Sequence, residues 1–255
     1  LDGAFYQVNP TDRTLTQLLA PGMRVNNATV GPLKDATIDS GVITLTDGKA
    51  VYYRDTAEAR WSRKRIGLID GKSAWDASIC GAFDGSFYML NRSGGQILKF
   101  SADQLSSLPD NWAGQDARTT LKDARDMVVD GKIYVLLADG TVQPYYRGAA
   151  EDAISITLQP ALSSPRVLYG ALDTAFLYVA DKSGTPGRIV RFDRQGGKAT
   201  QYLLPRSDEA GADSEGIAPF ATIDDFIVDE VTGMIYLISG DQIWSATIPS
   251  IGQTT

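Results

Sequence analysis

Seven charged residues of this chain, Lys34, Asp35, Asp76, Arg125, Asp126, Arg166 and Asp225, fall just ahead of short apolar runs. Lys34-Asp35 precedes Ala-Thr-Ile, Arg125-Asp126 precedes Met-Val-Val, and Asp224-Asp225 precedes Phe-Ile-Val; Trp75-Asp76 and Pro165-Arg166 occupy comparable places. Carboxylates gathered in one place suit a hard cation such as calcium, which takes oxygen donors. Carboxylates interleaved with Lys and Arg also suit a sugar or another polar ligand. Paired carboxylates hydrolyse glycosides only at a set separation, and nothing in the spacing fixes one. The competing reading is structural: the charges pair around the strand ends and hold neighbouring sheets in register. That reading weighs more, because repeats produce such charge rings without any ligand.

The elements that must position these residues are repeats. Five times an Asp-Gly-type turn leads into a run of β-branched and aromatic residues, then a second turn and a second strand. Taking Ile43, Phe87, Ile133, Leu177 and Ile235 as anchors of the second strand, the steps are 44, 46, 44 and 58 residues. A period of roughly 40 to 50 residues built from strands and turns marks propeller blades. In the third copy the spacing predicts strands at Arg125–Val129, Lys132–Leu137, Thr141–Tyr146 and Ala153–Leu158, with tight turns at Asp130-Gly131 and Asp139-Gly140. Pro144 cannot donate to a ladder, so it is expected at an irregular position.

The expected fold is therefore all-β, a propeller of four-stranded antiparallel blades forming one domain over residues 1–255. Residues 3–19 match the third and outer strands of a blade, which predicts six blades with the first incomplete in this chain. Five blades closed by an N-terminal strand is the alternative. The fifth copy, from Ile223 to Ile248, lacks an outer strand. Residues 103–123 read as a longer excursion with a helical turn, and residues 206–219 as a surface loop. A start at Leu1 is read as a processed or excised piece of a larger protein.

Composition narrows the chemistry. The chain has no histidine, which removes Ser-His and Cys-His catalysis and imidazole metal ligation. A net charge of -7 argues against a nucleic-acid partner. Arg60-Trp-Ser-Arg-Lys-Arg65 is the local exception and reads as a charged outer edge that discourages edge-to-edge pairing. Cys80 is the only cysteine and sits in an apolar strand-like run, as a buried inert thiol would. The recurring tyrosines Tyr6, Tyr52, Tyr88, Tyr134, Tyr178 and Tyr236 follow the repeat and are expected to pack between blades. No apolar run approaches the roughly 20 residues that span a bilayer.

The run Asp126-Met-Val-Val-Asp-Gly-Lys-Ile-Tyr-Val-Leu-Leu-Ala-Asp-Gly140, with Leu177-Tyr-Val-Ala-Asp181 and Gly187-Arg-Ile-Val-Arg-Phe192, resembles NHL-like propeller repeats. It is similar to the C-terminal propellers of bacterial membrane-anchored PP2C-type phosphatase-like proteins. That resemblance implies a non-catalytic, extracytoplasmic sensor or scaffold, tethered to the membrane through a segment outside this chain, with catalysis in another domain. The expected partner is a protein, a cell-wall glycan or a small molecule, bound over the central axis by the seven residues named above. The alternative is a metal-assisted lactonase or sugar-acting hydrolase of the six-bladed type, with calcium on the axis as the expected cofactor.

Overall fold

The computed structural model describes residues 2–9, 11–12, 14–39, 41–55, 57, 59–65, 79–83, 85–101, 109–182, 187–203, 223–240 and 242–248. Its fold is an all-β propeller with five blade sheets. The five match the alternative blade count; the sixth blade remains an expectation. The chain divides into two compact units, Leu1–Gly114 and Gln115–Thr255.

The first unit opens with two hairpins, β1 (Phe5–Asn9) with β2 (Thr14–Leu19) and β3 (Arg24–Val25) with β4 (Ala28–Thr29). The first blade follows as β5 (Asp35–Asp39), β6 (Val42–Thr46), β7 (Ala50–Asp55) and β8 (Trp61–Arg65). The second is β9 (Ile79–Phe83), β10 (Ser86–Asn91), β11 (Gln96–Ser101) and the short β12 (Asp110–Asn111). Residues 3–19 thus yield a separate two-stranded sheet, whose Leu19 packs with Ile43, Leu45 and Tyr52 of the first blade. The Trp61 indole N–H fixes that packing by donating to the Leu18 carbonyl at 2.9 Å.

The second unit begins with a 3-10 turn (Gln115–Ala117) and α1 (Arg118–Lys122), the helical turn expected there. The third blade is β13 (Ala124–Val129), β14 (Ile133–Leu137), β15 (Val142–Tyr146) and β16 (Ala149–Ala150). The fourth carries β17 (Ile156–Thr157), β18 (Pro165–Tyr169), β19 (Phe176–Asp181), β20 (Arg188–Asp193) and β21 (Gly197–Leu203). The fifth is β22 (Ile223–Asp229), β23 (Met234–Ser239) and β24 (Gln242–Thr247), three strands as expected.

Second strands are buried almost throughout: β10 reads Phe87 to Asn91 and β19 Leu177 to Asp181 without an exposed residue. A strand covered on both faces needs a near-continuous apolar run, which these sequences supply. The outer β8, with Arg63, Lys64 and Arg65, is only partly covered. Tyr134, Leu136 and Val142 of the third blade pack on Leu168, Leu177 and Val179 of the fourth. Tyr178, Ala180 and Ile189 of the fourth pack on Phe226, Val228 and Leu237 of the fifth. Tyr52, Tyr88, Tyr134 and Tyr178 are buried, in line with their expected packing role.

The Asp139-Gly140 joint is where glycine is required. Gly140 has φ of 89°, a conformation that L side chains avoid, and a Cβ there would approach Leu162 Cβ to 2.9 Å.

The outer strand of the third blade departs from expectation. Ala149–Ala150 supplies it, and the chain then crosses to the fourth blade, where Ile156 and Thr157 pair in parallel with Gly197 and Lys198. The slip begins at Pro144. Val142 bridges Ile154 while Tyr145 pairs with Ala150, so between these pairs two residues on one strand face three on the other. Pro144 accepts from Glu151 N–H at 3.0 Å but has no N–H of its own to continue the ladder.

Two buried polar joints close the turns after the second strands. Asp47 accepts N–H groups of Gly31 at 3.1 Å, Lys49 at 2.8 Å and Ala50 at 2.9 Å, and the Tyr52 hydroxyl at 2.7 Å. Burial pushes the Asp47 pKa up, yet these hydrogen bonds outweigh it and hold the carboxyl below its ordinary range. At the corresponding place in the fourth blade, Asp181 pairs with Arg188 at 2.9 Å and accepts Ser164 N–H at 2.8 Å. Asp181 and Arg188 are 1% and 4% exposed, so neither charge is solvated when alone. Arg188→Ala should therefore cost about 3–5 kcal/mol in urea unfolding, through an uncompensated buried carboxylate. A loss below about 1 kcal/mol, the range of exposed pairs, would contradict a dry ion pair.

Candidate functional site

Strand pairing fixes which of the predicted residues are equivalent. Asp35 lies opposite Thr46, Asp126 opposite Leu136 and Asp225 opposite Ile238. Each partner stands three residues beyond its anchor (Ile43, Ile133 or Ile235), so the three aspartates share one position in three blades. Val167 opposite Ala180 fills that position in the fourth blade, and Ile79 opposite Leu90 in the second. Asp76 lies outside the described residues, three places before Ile79 in sequence.

The structure separates Arg166 from the aspartates and groups it with Arg125. The inner strands bulge between Ala124 and Asp126, between Pro165 and Val167, and between Ile223 and Asp225. The inserted residues are Arg125, Arg166 and Asp224. A bulge leaves its extra residue out of the ladder and re-aims it, and all three are exposed. Lys34 is exposed ahead of Asp35, and its N–H donates to Thr46 carbonyl at 2.8 Å.

The carboxylates face backbone. Asp126 accepts its neighbour Met127 N–H at 2.8 Å with one oxygen. With the other it accepts Leu168 N–H at 2.7 Å, on the inner strand of the fourth blade. One side chain thereby ties two blades. Asp35 accepts Ala36 N–H, and Asp225 accepts Phe226 N–H, each at 2.8 Å. Packing around Asp225 raises its pKa; Phe226 N–H opposes the rise and the like charge of Asp224 adds to it. Asp224 goes the other way, lowered first by Gly240 N–H at 2.9 Å, then by Lys182 at 3.2 Å and by the charge of Arg166.

Arg125 makes no hydrogen bond or ion pair among the described residues, and Arg166 reaches Asp224 only through its longer-range field. Chemically, this end of the second unit offers guanidinium donors to a ligand, while its carboxylates serve the fold. Among the described residues no group of three or more Asp, Glu, Cys or His is arranged to hold a metal. Lys182 was missed in sequence, because it belongs to the turn after the second strand and meets Asp224 only across blades. The Asp181–Arg188 pair was missed too, although an Asp closing a second strand recurs at Asp47 and could have flagged it.

No family model and no curated protein matches the chain. Solved structures do. One is PorZ, a surface component of the type-IX secretion system of Porphyromonas gingivalis, with a TM-score of 0.56 and 18% identity. That match covers 93% of this chain and 27% of PorZ, so the chain spans about a quarter of that protein. Another is the glutaminyl cyclase of Myxococcus xanthus, with a TM-score of 0.51 and 12% identity, covering 85% of this chain and 91% of that one. At such identities the likeness concerns the propeller fold.

The two kinds of side chain should separate under mutation. Asp126→Ala strands Leu168 N–H and should cost about 1–3 kcal/mol in chemical denaturation. Arg125→Ala should stay within about 0.5 kcal/mol. Equal losses would contradict the division between tie and exposed donor.

Proposed function

We propose that this chain is a non-catalytic binding or scaffold propeller that works outside the cytoplasm. It meets its partner through the side chains that the inner-strand bulges turn outward, Arg125 and Arg166 first, with Lys182 and Asp224 beside them. The observation that carries this reading is the contrast within one dipeptide: the Asp126 carboxylate is consumed by two backbone N–H groups, while Arg125 stands exposed without a partner among the described residues.

Three further points support the reading. The absence of histidine removes the common general base near neutral pH. PorZ, of similar fold, is a bacterial surface component. The NHL-like resemblance, with its link to membrane-anchored PP2C-type phosphatase-like proteins, implies a propeller outside the membrane with catalysis in another domain. The partner is a protein, a cell-wall glycan or a small molecule.

The glutaminyl cyclase shows that the fold also serves enzymes. The rival for this chain is a metal-assisted lactonase or sugar-acting hydrolase with axial calcium. Thermal unfolding with calcium and then a chelator separates the two. A cation at a hundred times its Kd would add about 2.7 kcal/mol to stability. The binding reading expects an unmoved midpoint, and capture of an envelope component that Arg125→Glu/Arg166→Glu abolishes. A calcium-dependent rise, lost in Asp126→Ala, would overturn it in favour of the hydrolase.

A further inference from the structure

A cleft of about 730 Å³ opens between the third and fourth blades, at the far end of the strands from the bulges. Its size lies within the range of small-ligand sites. The walls come from four stretches of one compact unit: Lys132 and Tyr134 after the first turn of the third blade, Pro144 of β15, residues 150–154 from β16 onward, and Arg194 with Gln195 in the turn after β20. These stretches are tied together. Gly197 N–H donates to Ser155 carbonyl at 3.2 Å, beside the parallel pairing of β17 with β21. Arg194 donates to Asp130 and to the carbonyls of Ala171 and Thr174, both at 2.9 Å, and its guanidinium lies 5.5 Å from the centre of the Tyr134 ring. Walls held in this way need little ordering when a ligand arrives.

The charges of the cleft are largely spent on one another. Lys132 donates to both oxygens of Glu151, at 2.9 and 2.7 Å, and Arg194 pairs with Asp130. An anionic ligand would have to displace a carboxylate from its cation. Three polar groups remain without a partner among the described residues: the Asp152 carboxylate, the Gln195 amide and the Tyr134 hydroxyl. Together they accept and donate in the mixture that hydroxyl groups require. Exposed Ala153 adds apolar surface beside them, over a floor of buried Pro144 and Ile154.

We propose that this cleft binds a neutral, hydroxyl-rich ligand, a saccharide unit, whose hydroxyls meet Asp152, Gln195 and Tyr134 while its C–H face rests against Ala153. The site is separate from the bulge residues and does not rest on their role.

Isothermal titration of the whole chain with cellotriose, maltotriose and chitotriose, and with sialyllactose as the acidic control, tests it. At least one neutral trisaccharide should bind, and Asp152→Ala/Gln195→Ala should weaken it by about tenfold or more. Both positions are exposed, so the unfolding midpoint of that variant should stay in place. Tyr134→Phe should weaken binding less, and Arg125→Glu/Arg166→Glu should leave it unchanged. Three results would overturn the proposal: no neutral trisaccharide binding at ~10 mM, affinity indifferent to the double alanine change, or binding of sialyllactose alone.

Discussion

Neighbouring blades share no backbone ladder where their faces pack, so what sets their register has to come from side chains. Apolar packing draws the faces together but is non-directional and says little about sliding along a strand. The Asp126 carboxylate supplies the missing direction. One oxygen holds Met127 N–H of its own strand, the other holds Leu168 N–H of the next blade. A hydrogen bond to a charged acceptor is stronger than a neutral one and tolerates little displacement. The bulge that frees Arg125 also places Asp126 at this junction, so tie and exposed donor arise from the same backbone irregularity.

The same device recurs at the other end of the strands. Glu230 of the fifth blade accepts N–H groups of Ala175 and Phe176, at 2.7 and 3.2 Å, and the Tyr178 hydroxyl at 2.8 Å. Arg194 links the fourth blade to Asp130 of the third. Within this unit the third, fourth and fifth blades are therefore joined by polar ties at both ends and by apolar packing between. The acidic excess of the chain is in good part structural, because several of its carboxylates are occupied by backbone N–H groups. This is why surplus acid in the sequence does not translate into a cation site among the described residues.

Fold and candidate site were legible to different degrees. Turn dipeptides such as Asp130-Gly131 and the unbroken apolar second strands announced the blades, because local chemistry decides both. The equivalence of Asp35, Asp126 and Asp225 was legible for the same reason: each directly precedes the apolar run of an inner strand. Arg166 was legible as a strand-start residue but not as a bulge, since Val167 takes the aspartate's place and only cross-strand pairing reveals it. The crossing of Ile156–Thr157 to the fourth blade was hidden as well. Its alternation suits a strand in either sheet, and the choice falls to Pro144 and the Gly196-Gly197 turn, which lie in different repeats. The cleft walls were illegible because they converge from four separated stretches.

Hydrogen exchange at the Leu168 amide reads the central tie most directly. In the wild-type chain this N–H should exchange slowly, at the rate of the surrounding core, and Asp126→Ala should speed it selectively while Leu177 and Val179 keep their protection. Unchanged protection of Leu168 in that variant would contradict the account, since the carboxylate would then not be what holds the two blades in register.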